Sequence, residues 1–204
     1  MSLEGIGFIE ISLPALVLLS LTGLWLLTGR DNRWLALGLG VQYVGVFLLV
    51  FLSWPVSLAV VKLVAGWMSA ALIGVGLAGS QANQISVHES FSPSGRVFRL
   101  LAAGIIGLAM FSLGPGVSEW FPGVGLEIVD GSLLLIGLGA LQLGLSTQPV
   151  RVVLGLLTVV SGFEILYAAL ENSVLVAGLL AVLNLGLALM GVFLAAAPAL
   201  EANE

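Results

Sequence analysis

VLVAGLLAVLNLGLALMGVFLAAA occupies residues 174–197. No charged side chain interrupts it, and at 1.5 Å per residue it makes a helix of about 36 Å. That exceeds the roughly 30 Å hydrocarbon core of a bilayer, which about 20 apolar residues cross. The apolar residues run all round the helix rather than along one stripe, the pattern of a helix with no solvent face. Six more such runs precede it, at residues 11–28, 34–53, 56–78, 98–113, 131–146 and 152–170, each bounded by polar or turn residues. Transmembrane barrel strands are shorter and alternate apolar with polar, which these runs do not. The expected fold is all-α, a polytopic transmembrane helix bundle of about seven spans.

Composition agrees. Of 204 residues, 59% are hydrophobic and 8% charged, against about 25% charged in a soluble domain. Mean hydropathy is +1.18. Six Lys/Arg against 11 Asp/Glu give a net charge of −5, so no basic field attracts nucleic acid. With no cysteine and the single histidine His88, no thiolate or multi-histidine metal site is available. No phosphate-binding loop, nucleophile elbow or zinc motif occurs, and neither a catalytic residue nor a soluble cofactor is expected. The start, Met1-Ser2-Leu3-Glu4, carries acid where a secretory signal has base, so the first run is expected to remain as a span.

Arginine sets the orientation. Arg30 and Arg33 lie between spans one and two, Arg96 and Arg99 between three and four, and Arg151 between five and six. All fall on one side. Glu10, Glu119, Glu127, Asp130 and Glu171 fall on the other. The N-terminus is therefore expected outside and the C-terminus, with Glu201 and Glu204, in the cytoplasm of a cell membrane of the bacterial inner-membrane type. The loop at 80–96, with His88 and Glu89, reads as a polar cytoplasmic connection. The stretch 114–130, with Trp120, reads as lying in the outer interface.

The chain also pairs with itself. Displaced by 117 residues, 37–77 aligns with 154–194 without a gap, and 12 of 41 positions are identical. Gly38, Gly45 and Gly74 fall on Gly155, Gly162 and Gly191. Spans one to three and five to seven also share one topology, with span four as the odd crossing that keeps them parallel. Parallel repeats occur in transport proteins. The expected organisation is one membrane domain: repeat one at 10–79, a loop–span–loop connection at 80–130, repeat two at 131–198 and a tail at 199–204.

Polar residues within the spans are the candidates for chemistry, because a charge in hydrocarbon is costly and faces a bundle interior or a water path. Lys62 and Glu164 each lie ~10 Å inside the outer end of their spans, and they come from different repeats. They are expected to meet as an ion pair or a proton-exchanging pair. A lone buried Glu or Lys favours its neutral form, and a partner restores both charges. Two other roles fit the same residues: a static pair that fixes helix register, or a Lys62 that snorkels outward on its long stem. Gln42 and Asn184 complete the set of proton or ion path candidates. Together with Tyr43, Gln142 and Ser161 they also suit interhelical hydrogen bonding. Trp54, Trp120 and Tyr167 read as outer interfacial belt residues, Trp34 as an inner one, and Trp67 as packing.

The second repeat carries a recognisable pattern. Ile136-Gly137-Leu138-Gly139 lies in its first helix, and Gln148-Pro149-Val150-Arg151 forms a short basic turn. Leu154-Gly155-Leu156-Leu157 and Ser161-Gly162-Phe163-Glu164 follow, then Asn184-Leu185-Gly186-Leu187-Ala188-Leu189. This resembles the three-helix subunit K of NADH-quinone oxidoreductase. It also resembles the related small C-type component of the multisubunit cation/proton antiporters and membrane component E of the formate-hydrogenlyase-type hydrogenases. The resemblance covers residues 131–197. It implies a short basic loop on the cytoplasmic side and a lateral proton path lined by a glutamate in the second helix and often another in the third. Glu164 stands for the first, a few residues later than the usual spacing, and the third-helix position holds Asn184. That departure implies an accessory subunit packed in lipid against larger antiporter-like membrane subunits. Two alternatives stay open: a non-catalytic scaffold or assembly protein, and a stand-alone secondary transporter, against which the few polar groups in the spans count.

Overall fold

The structure, a computed structural model, describes residues 3–29, 32–79 and 93–201. The polar connection at 80–92, Arg30 and the last three residues of the tail lie outside them. The described residues form seven α-helices and no strand. They are α1 (Leu3–Thr28), α2 (Asn32–Phe51), α3 (Val56–Gly79), α4 (Pro93–Ser118), α5 (Leu126–Leu145), α6 (Pro149–Leu170) and α7 (Val174–Glu201). Each holds a stretch long and apolar enough to cross a membrane. The protein is a seven-span, multi-pass membrane bundle.

Helix ends depart from the expected spans where polar residues suggest boundaries. The fourth span extends beyond 98–113 at both ends, running through Gly114 and Pro115 to Ser118. Pro115 lies inside the helix and forfeits the bond to the Phe111 carbonyl, and the Ser118 hydroxyl donates back to the Pro115 carbonyl at 2.7 Å. The expected outer stretch 114–130 shrinks to a turn at residues 119–125, where Gly123 takes φ +95°. The α5 helix begins at Leu126, and Glu127 and Asp130 stand near its start. Their negative charge suits the positive end of the helix dipole, so these acids start a helix rather than mark a loop. Pro149 opens α6, a position where its missing N–H has no intrahelical partner to lose.

The helices stand in two rows. The first is α1–α2–α3 and the second α5–α6–α7. Across the gap α1 faces α5, α2 faces α6 and α3 faces α7, while α4 packs on α5 and touches α1. A two-fold axis along the membrane normal sets α1 against α7. Here each helix meets its own counterpart, which is the signature of a translation.

Contacts at three shared glycines recur between the rows. A Cβ on Gly45 meets the Leu19 side chain and, at 3.5 Å, the Ala15 carbonyl; one on Gly162 meets Ile136 and, at 2.6 Å, the Ser132 carbonyl. Leu19 and Ala15 displaced by 117 are Ile136 and Ser132. In the same way Gly38 faces Leu26 while Gly155 faces Leu143, and Gly74 faces Ala36 while Gly191 faces Val153. The three shared glycines thus bring the helices of both rows together at equivalent points, as small residues do in lipid. The α5–α6 seam is the tighter of the two. There Gly139 and Gly155 face each other's backbone, and a Cβ on Gly139 would lie 2.9 Å from the Gly155 carbonyl.

Candidate functional site

The polar cluster forms where the two rows meet. Lys62 projects from α3 and forms an ion pair with Glu164 of α6. The Asn184 amide, on α7, donates to the other Glu164 oxygen at 2.9 Å. Tyr43 of α2 lies beneath the lysine, with its ring centroid 5.4 Å from the ammonium, a cation–π distance. The Tyr43 and Ser161 hydroxyls lie near the pair, and neither has a hydrogen-bond partner. All five side chains are buried, Lys62 at 5% exposure and Asn184 at 0%. From the outer helix ends they sit about 9–15 Å deep at 1.5 Å per residue. Four helices from both repeats therefore supply one site.

Local sequence explains how these groups come so close. Gly66 lies one turn below Lys62 on α3, and a Cβ there would fall 2.3 Å from the Tyr43 ring. The ring lies flat on α3 only because residue 66 has no side chain. The Gly162 seam presses α6 on α5 two residues before Glu164. That fixes the direction in which the carboxylate projects, toward α3 and α7.

Of the sequence candidates, Lys62, Glu164 and Asn184 come together. Gln42 does not join them by a hydrogen bond. It is buried, and neither of its amide atoms has a partner. The Asn184 carbonyl oxygen and the Ser132 hydroxyl are likewise unpaired. Lys62 does not snorkel outward, because its Nζ is held by Glu164. Gln142 belongs elsewhere, donating to the Arg151 carbonyl at 3.1 Å near the opposite end of the bundle.

Two tryptophans differ from expectation. Trp54 is not an exposed belt residue: it is 5% exposed, and its indole N–H donates to the Glu171 carbonyl at 2.8 Å. This bond joins the two outer loops at positions related by the same displacement of 117. Trp67 packs on α2 but stays half-exposed, and its indole donates to the Gly40 carbonyl at 3.1 Å. Sequence reasoning missed the Trp54 bond because a tryptophan near a span end reads the same whether its N–H meets water or a backbone carbonyl, and the Trp67 bond because nothing along α3 marks a carbonyl on α2. The part played by Tyr43 was also hidden, since its signal was a glycine 23 residues away.

A small cavity of about 10 Å³ lies on the outer side of the ion pair, lined by Val50, Trp54, Val61, Lys62, Glu164 and Ala177. It is about the size of one water molecule. Trp54, near the end of α2, forms part of its wall. Trp54→Ala is expected to raise the rate at which a hydrophobic carbodiimide labels Glu164 several-fold, read by mass spectrometry of the intact chain. An unchanged rate would mean that Trp54 does not guard the site.

The arginines at the opposite end are also committed. Arg99 donates to the carbonyls of Leu27 at 3.1 Å and Leu145 at 3.2 Å. Arg151, 2% exposed, donates to the Gly29 carbonyl at 2.7 Å and to Gln148 at 3.3 Å. Guanidinium groups thus satisfy carbonyls at the C-terminal ends of α1 and α5, where helix dipoles favour positive charge. Among the described residues no three His, Cys, Asp or Glu side chains gather as a metal site. No protein-family model matches the chain, and neither a curated protein nor a solved structure gives a significant match.

Proposed function

We propose that the chain is a small integral subunit of a proton- or cation-translocating membrane complex, of the subunit K type and accessory to larger antiporter-like subunits. The observation that carries this reading is the Lys62–Glu164 pair, buried between the two repeats at membrane depth with Asn184 and Tyr43 against it. Ionisable residues inside a membrane pair with one another and mark ion and proton paths. A carboxylate beside an ammonium exchanges a proton with little movement, and a charge arriving in a neighbouring subunit biases which of the two holds it. The cavity beneath Trp54 supports access from the outer side, and the Ser161 and Tyr43 hydroxyls continue the polar lining inward. The arginine distribution supports a membrane of the bacterial inner-membrane type.

A second reading is favoured by the tight enclosure of the pair: a static clamp that holds the two rows in register. The double substitution Lys62→Met/Glu164→Gln separates the two, because it removes both charges together. In native membranes, ion translocation per assembled complex is expected to fall at least tenfold in the double variant while its protein level stays normal. Wild-type flux at normal protein level would sink the ion-path reading and leave the clamp. Pull-down in mild detergent tests the setting: antiporter-like or dehydrogenase subunits are expected to co-purify, and a chain that runs alone would count against a complex.

A further inference from the structure

The ion pair has different surroundings on its two sides along the helices. Toward the outer end the distance is short. Lys62 lies six residues inside the start of α3 and Glu164 six residues before the end of α6, about 9 Å in each case. Toward the end that carries the arginines the same helices run on for 17 and 15 residues, or about 22–26 Å. The cavity of about 10 Å³ lies on the short side, and both charged side chains stand in its wall. That is room for one water molecule, which a buried site keeps when polar partners are at hand. Lys62 has three N–H groups to offer. Glu164 takes one and the Tyr43 ring lies against the ammonium, while neither Nζ nor the Glu164 Oε2 has a further hydrogen-bond partner. A water in the cavity accepts from the first and donates to the second.

The long side is closed. The hydroxyls next inward along α3 and α6 are spent on their own helices. Ser69 donates to the Ala65 carbonyl and Thr158 to the Leu154 carbonyl, each at 2.9 Å. On α2, Leu39 and Leu35 stand inward of Gln42, and both are fully buried. Further in, Ile73, Leu77, Val150, Val153 and Val192 close α3, α6 and α7 on one another and leave no room for a water molecule. Two glycines allow the closure: a Cβ on Gly76 would strike Val192, and one on Gly191 would strike Val153. Apolar constrictions of this kind stay dry and block ions.

We propose that the Lys62–Glu164 pair is the blind inner end of a half-channel: one water molecule in the cavity links it to the outer side, and the described helices hold no path from it to the cytoplasmic side. That protons are what the pair exchanges rests on the ion-path reading; the one-sided access does not. A chain built this way does not carry an ion across the membrane by itself. The cytoplasmic half of any path belongs to a neighbouring subunit, which counts against the stand-alone transporter.

The chain has no cysteine, so one engineered thiol reports without background. Ala177→Cys places it in the cavity wall and Val153→Cys in the apolar seal, both buried positions that the volume of a cysteine suits. Silver ions, small enough to follow water, are added in nitrate buffer to right-side-out or inverted vesicles of native membranes. Thiols left free are then counted with a maleimide after denaturation, by mass spectrometry of the intact chain. The Ala177→Cys thiol is expected to be blocked at least tenfold faster from the outer side than from the cytoplasmic side, and the Val153→Cys thiol from neither. With Lys62→Met/Glu164→Gln added to Ala177→Cys, the polar wall is gone and the outer rate is expected to fall several-fold. Four results would overturn the proposal. Equal rates from both sides at Ala177→Cys would mean a through path. No reaction from either side would mean that the cavity is sealed. Fast reaction of Val153→Cys from the cytoplasmic side would mean that the seal is wet. An outer rate that survives the loss of both charges would mean that the pair does not hold the water. These rates are read without ion flux, so one-sided labelling beside wild-type flux in the Lys62→Met/Glu164→Gln variant would uphold the half-channel and remove the ion-path reading.

Discussion

Lys62→Met is expected to destabilise the protein by about 3–5 kcal/mol, the usual cost of removing one partner from a buried ion pair. Glu164 then keeps only Asn184, whose amide donates to one carboxylate oxygen. The other oxygen loses its ion-pair partner and keeps no hydrogen bond among the described residues. Removing both charges relieves most of the penalty, since a buried pair replaced by neutral groups of similar volume is often close to neutral in stability. Lys62→Met/Glu164→Gln is therefore expected to be markedly more stable than Lys62→Met. Unfolding in mixed micelles by added dodecyl sulfate measures both, and the double-mutant cycle isolates their coupling. Independent, additive losses would mean that the pair does not hold the rows together.

Gly162→Leu is expected to block accumulation of folded protein, and Gly162→Ala to cost about 1–3 kcal/mol, the range for overpacking. A Cβ at 162 would lie 2.6 Å from the Ser132 carbonyl and 2.9 Å from the Ile136 backbone nitrogen. Only a shift of α6 away from α5 makes room, and that shift carries Glu164 with it. The repeat supplies its own control. At the equivalent Gly45 the nearest atoms belong to the flexible end of Leu19, at 2.8 Å, and the Ala15 carbonyl is 3.5 Å away. Gly45→Ala is expected to cost clearly less than Gly162→Ala in the same unfolding assay. Equal costs would mean that the α5–α6 seam is no more rigid than the α1–α2 seam.

Number and placement of the spans were readable in residues 174–197 and their six companions because an uninterrupted apolar run of that length has no other stable home. The meeting of Lys62 with Glu164 was readable because two intramembrane charges at equal depth have few ways to be satisfied. Helix ends were less legible. Glu127 and Asp130 are polar enough to mark a boundary and acidic enough to start a helix, and only the backbone decides between them. Tyr43, Trp54 and Trp67 were opaque for another reason. What each does depends on a distant group, Gly66, the Glu171 carbonyl or the Gly40 carbonyl, and spacing along one helix carries no record of such partners. Gln42 looked equivalent to Asn184 by depth, yet only Asn184 bonds to the carboxylate.

The arginines that close the ends of α1 and α5 bear on how the chain is made. The Leu27 carbonyl waits for Arg99, 72 residues further along, and the Gly29 carbonyl for Arg151, 122 residues further along. While synthesis proceeds from the N-terminus, the first helix forms with these two acceptors at its C-terminal end still without their donors. They find their donors only after the fourth and then the sixth helix have emerged. Chains that stop before Arg151 keep an unfinished first helix. The two arginines thus become, once synthesis has passed them, the ties that make completion of the first helix a record that the chain has reached the start of the sixth.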